Sequence, residues 1–176
     1  MLLDDFLPKF DFRSRHELEV TAPIERVWTA VLTTDISKLR MVRFLFLLRG
    51  YRKRPPSAQN LMDDVRPYGF LELAARQYQE IVIGAIGKPW HKDGSFLRGL
   101  STETYQEFTE PGYVRIGANL QLTPRGRYHT ILVTETRVQA LDEKARARFA
   151  SYWALIQGPS GWIRQAVLRD IARRSH

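Results

Sequence analysis

No cysteine occurs among the 176 residues. Its absence excludes disulfides, thiolate metal sites and cysteine nucleophiles, and it fits a reducing compartment, so a cytoplasmic location is the expectation. Long apolar runs are missing too. No stretch of about 18 apolar residues is present, so no transmembrane helix is expected. Met1 to Arg15 carries Asp4, Asp5 and Asp11 and no apolar block, and does not read as a secretory signal. Chemical motifs are equally scarce. Gly84, Gly87 and Gly94 do not form G-x-G-x-x-G, and there is no G-x-S-x-G, so neither nucleotide binding nor serine-hydrolase chemistry is signalled. The four histidines, His16, His91, His129 and His176, have no metal-ligand spacing, and neither a metal nor a cofactor is expected.

Acidic residues are outnumbered, 19 against 27 lysines and arginines, for a net charge of +8. Zinc-finger spacing, RNP motifs and helix-turn-helix signatures are lacking, so no specific nucleic-acid partner is expected and the excess reads as solubilising surface. The basic stretch is local. Met41 to Leu48 is apolar apart from Arg43 and runs into Arg49, Arg52, Lys53 and Arg54. One account is a helix packed inside the fold with arginines at its negative end. The alternative is a basic amphipathic segment touching an anionic membrane surface or nucleic acid.

What is abundant is periodicity. Phe149, Trp153, Ile156, Ser160, Ile163, Val167 and Ile171 recur at steps of three and four, which predicts one helical stripe over about Asp142 to Arg174. At 1.5 Å per residue such a helix is on the order of 50 Å long, and Gly158-Pro159-Ser160-Gly161 predicts a kink within it. Upstream, Phe12 to Thr21 alternates as a strand, Pro23 opens a helix through Thr33, and a second helix is expected over Ile36 to Leu48. A short turn is expected near Leu61 to Arg66. Strands are expected at Phe70 to Ala74, Tyr78 to Ile86 and around Phe96 to Leu100, then a helix capped by Ser101. A hairpin of Tyr113 to Thr123 and His129 to Ala140 follows. One domain, residues 1–176, accommodates all of this.

In the hairpin, Val114, Ile116, Ala118, Leu120 and Leu122 form the apolar phase. In the partner strand Ile131 and Val133 give the cleaner apolar phase, which continues to Glu135 and Arg137. Both charges are therefore expected on the concave face, either as a buried ion pair or as a polar anchor for a ligand. Leu132, Thr134, Thr136 and Val138 make up the opposite, mixed phase, so a reversed parity or a bulge is the alternative.

The segment His16-Glu17-Leu18-Glu19-Val20-Thr21-Ala22-Pro23-Ile24-Glu25-Arg26-Val27-Trp28, the order of elements and the terminal helix resemble the START-like, or SRPBCC, superfamily of lipid-transport and polyketide cyclase proteins, and Thr134 to Val138 with Phe149, Tyr152-Trp153 and Ser160-Gly161 resemble an uncharacterised bacterial branch of it. That resemblance implies an α+β helix-grip fold: a curved antiparallel sheet wrapped around a long C-terminal helix, enclosing a pocket for a hydrophobic or aromatic small molecule. The expected pocket residues are Trp28, Trp90, Ile116, Ala118, Val133, Glu135, Arg137, Phe149 and Trp153. Binding is the first expectation. The alternative is a cyclase or dehydratase reaction in the same pocket, with Glu135 or His91 as acid or base, and a homodimer is left open.

Overall fold

The computed structural model describes residues 1–35, 65–91 and 95–176. The expected helix over Ile36 to Leu48 and the basic residues after it lie outside the described residues. The first element is a short helix, α1 (Leu2–Phe6), followed by β1 (Phe12–Val20) and α2 (Ile24–Leu32). A 3₁₀ turn at Arg66–Tyr68 leads into β2 (Leu71–Arg76) and β3 (Glu80–Gly87). Helix α3 (Thr102–Glu107) precedes the long hairpin of β4 (Val114–Pro124) and β5 (Thr130–Ala140), and α4 (Glu143–Arg174) closes the chain. Phe96 to Leu100, expected as a strand, is irregular; Leu97 N–H donates to the Ile86 carbonyl at 2.9 Å without starting a ladder.

The strands form one curved antiparallel sheet in the order β1-β5-β4-β3-β2. Helix α4 lies across its concave face, with α2 beside it, in a helix-grip arrangement. Asp142 starts α4 by accepting from Ala145 N–H at 2.8 Å, and its other oxygen accepts from Gly112 N–H. The helix continues through Pro159 to Arg174, because its packed face compensates for the one backbone donor that proline removes. At one end of the sheet, Val27, Trp28, Leu120, Leu132, Val167 and Ile171 form a buried cluster. At the other, Val114, Ile116, Val138, Ala145 and Phe149 form a second.

The convex face is also covered. Leu3 of α1, Val82 and Ile86 of β3 and Tyr105 of α3 make a third cluster. Gly117 belongs here: a Cβ would sit 2.9 Å from Leu3 Cδ1, so the absence of a side chain there lets Leu3 lie close against the strand. Tyr105 is fully buried and donates its hydroxyl to the Ile116 carbonyl at 3.0 Å, and burial raises its pKa well above the usual phenol value. Tyr105→Phe removes one buried hydrogen bond from this cover and is expected to lower stability by about 1 kcal/mol in urea unfolding, with ligand binding on the concave face unaffected.

Candidate functional site

The register of the hairpin decides which side chains face α4. Ile116 pairs with Val138, Ala118 with Thr136, Leu120 with Thr134 and Leu122 with Leu132. Directly opposed residues share a face, so the concave side of β5 carries Leu132, Thr134, Thr136 and Val138. Glu135, Arg137 and Val133 lie on the convex side. The expectation that Glu135 and Arg137 point into the pocket is thereby corrected. On the convex face Val133 is buried beside the charges of Glu135 and Arg137, which is why Ile131 and Val133 mimic a core phase.

Glu135 is only 1% exposed and sits within an ion network. Arg137 Nε donates to its Oε1 at 2.7 Å, and Arg13 donates to both oxygens at 3.0 and 2.8 Å. Arg137 also donates to the Leu7 carbonyl at 3.0 Å and pairs with Asp4 at 2.8 Å. Burial pushes the Glu135 carboxyl upward, but the hydrogen bonds and charges of Arg13 and Arg137 outweigh it and hold the group below the ordinary range. The acid–base role considered for Glu135 has no route to the concave side.

Between the sheet and α4 lies a cavity of about 320 Å³. Ile81 and Ile83 of β3, Ile116 and Ala118 of β4 and Phe149 and Trp153 of α4 supply much of its apolar wall. Of the residues expected to line a pocket, Ile116, Ala118, Phe149 and Trp153 are on this wall. Trp28 is instead packed in the core cluster under the C-terminal half of α4, with its ring 6.1 Å from Tyr78. Trp90 packs against the Val114–Phe149 cluster and opens on a separate hollow beside Asp142 and Arg148. His91 is exposed at the turn after β3, away from the cavity wall.

The polar part of the cavity comes from Arg164 and Thr136, which lie outside the apolar phases, and from Ser160, which the helical stripe includes. Arg164 lines it from α4, and its Nε and Nη2 donate to Thr136 Oγ1 at 3.1 and 2.9 Å. Its Nη1 donates to Ser160 Oγ, one helical turn earlier, at 2.5 Å. Cross-strand pairing sets Ser14 of β1 opposite Thr136, and His16 opposite Thr134. Ser14 Oγ and His16 Nε2 are 3.1 Å apart, and a Cβ on Gly161 would stand 3.3 Å from the His16 ring. The missing side chain at position 161 lets the His16 ring lie close beneath α4 without displacement. Burial, then the charge of Arg164, lower the His16 pKa, so the ring is neutral at neutral pH. Burial also pushes the Arg164 guanidinium down to about 10.

No family model matches the chain, and no curated protein matches it. Among solved structures it is similar to hypothetical protein jhp0584 from Helicobacter pylori, at 8% identity over 98% of this chain and 94% of that one, with a TM-score of 0.44. It is also similar to TTHA0849 from Thermus thermophilus, at 14% identity over 93% and 97%, TM-score 0.37. A third is the Zhui aromatase/cyclase from Streptomyces sp. R1128, at 16% identity over 94% and 96%, TM-score 0.34. None of these fixes the chemistry of the cavity, which rests on its own side chains. Among the described residues no group of three His, Asp or Glu is placed to hold a metal ion, and no helix is long and apolar enough to cross a membrane.

Proposed function

We propose that this protein binds an apolar or aromatic small molecule in the cavity between the sheet and α4. The observation that carries this reading is the cavity itself. At about 320 Å³ it falls in the range of ligand sites, which is roughly 300–1,000 Å³. Its wall is aliphatic and aromatic, with the polar groups gathered around Arg164 and Thr136. Such a surface binds by excluding water from the body of a ligand and orients it through the few polar groups.

The test is a titration of the whole chain with N-phenylnaphthylamine, a neutral dye that brightens in apolar surroundings. Saturable binding near one dye per chain is expected, with energy transfer from Trp153 on the wall. Trp162 is 62% exposed, so Trp162→Phe removes its background without touching the cavity. Ala118→Phe places a ring in the binding space and is expected to weaken the dye by about tenfold or more, roughly 1.4 kcal/mol or above, while the helical circular dichroism is retained. Equal affinity in the wild type and Ala118→Phe would overturn the reading.

A further inference from the structure

We propose that the ligand of this cavity is an acid: an apolar or aromatic body bearing one oxyanion of the carboxylate kind, received by the guanidinium of Arg164. The proposal rests on the binding reading above and names the chemical class of the ligand.

Arg164 carries a full charge into a largely apolar cavity, and its partners among the described residues are two neutral hydroxyls, those of Thr136 and Ser160. No described carboxylate lies within ion-pair distance of it. The same chain treats its other buried guanidinium on β5 differently. Arg137 is neutralised twice over, by Glu135 at 2.7 Å and Asp4 at 2.8 Å. Arg115 also lacks a carboxylate, but it is held by the carbonyls of Gln106 and Phe108 at the negative end of α3 and by Gln139 Oε1. Arg164 has neither kind of compensation. His16 on β1, close enough to feel the charge of Arg164, adds no negative charge.

The donors point the same way. A guanidinium has five N–H groups, and three of them are used, one on each nitrogen. One N–H therefore remains on each terminal nitrogen. Two donors on neighbouring nitrogens are what a carboxylate takes as a bidentate pair. Thr136 and Ser160 fix the plane of the group beforehand, so little side-chain entropy is lost when the anion arrives.

The experiment compares two probes with one ring system: anilinonaphthalene sulfonate, which carries an anion, and neutral N-phenylnaphthylamine. Titrations of the whole chain in about 0.5 M salt suppress attraction by the basic surface. The wild type is expected to prefer the sulfonate by about 10- to 100-fold, the range for hydrogen bonds to a charged partner. Arg164→Met is expected to erase that preference while keeping the neutral dye. Arg164→Lys keeps the charge without the fork and should retain part of it. Should Arg164→Met fail to fold, displacement of the neutral dye from the wild type by laurate and by dodecanol decides the matter, with laurate expected to compete at the lower concentration. Equal binding of the charged and neutral members of either pair, or a preference that survives Arg164→Met, overturns the acid proposal and leaves the binding site standing. Failure of every probe to bind overturns both.

Discussion

Replacing Glu135 by alanine is expected to destabilise the protein by about 3–5 kcal/mol and leave the cavity able to bind. The carboxylate is nearly inaccessible, and its removal strands Arg137, which is only 6% exposed, with Asp4 as its remaining anion. Removing one member of a buried ion pair incurs most of the desolvation of the other, hence the figure. For a chain of this size it corresponds to a fall of roughly 10 °C in Tm. The network also ties β1, through Arg13, and the segment after α1, through the Leu7 carbonyl, to the central sheet. The pH dependence has a definite sign. The folded-state pKa of Glu135 is depressed below the unfolded value of about 4.3, and that of Asp4 is lowered too, chiefly by its hydrogen bond from Arg137. Their stabilisation is therefore complete above the unfolded value and is lost as the pH falls through the folded values. Thermal unfolding at neutral pH and across the acid range checks both points. Stability within about 1 kcal/mol of wild type, together with lost dye binding, would put Glu135 back in the pocket.

That placement shows where the sequence is legible and where it is not. Both strands of the last hairpin, the helix capped by Ser101 and the long terminal helix can be read directly, because each has an uninterrupted period and a capping or turn residue at its boundary. The facing of β5 misleads for a definite reason. Residues 1–11 read only as lacking a signal, so nothing in them suggests that Leu3 and Leu7 are buried against the convex face at Gly117 and make that side of the sheet a second interior. Loop length alone holds the correction. An odd number of residues between Pro124 and Thr130 pairs even positions with even ones, so Ala118, once placed inward, takes Thr136 with it. Arg164 is harder to find. It lies at the edge of the apolar stripe and looks like one more surface arginine. Only the approach of Thr136 across the cavity distinguishes it from Arg169 and Arg173.

Phe149→Ala is expected to have an effect of similar size by a different mechanism, about 3–5 kcal/mol lost from packing alone. The ring is 2% exposed and joins the first half of α4 to the sheet. It meets Phe12 of β1 edge-on at 4.8 Å and stacks on Trp153 at 5.6 Å. Aromatic pairs of this kind add about 0.5–1.5 kcal/mol each beyond burial. Because the ring forms part of the cavity wall, its loss extends the existing space instead of opening an isolated void. An apolar space of this kind accepts small hydrocarbons, and a ligand that binds only the folded state raises its stability by mass action. Benzene or toluene should therefore raise the Tm of Phe149→Ala by more than that of the wild type. Phe149→Leu, which refills most of the volume, should recover most of the stability and little of the hydrocarbon effect. A wild-type Tm for Phe149→Ala would mean that the first half of α4 is not seated on the sheet, and the cavity would lose the wall that encloses it.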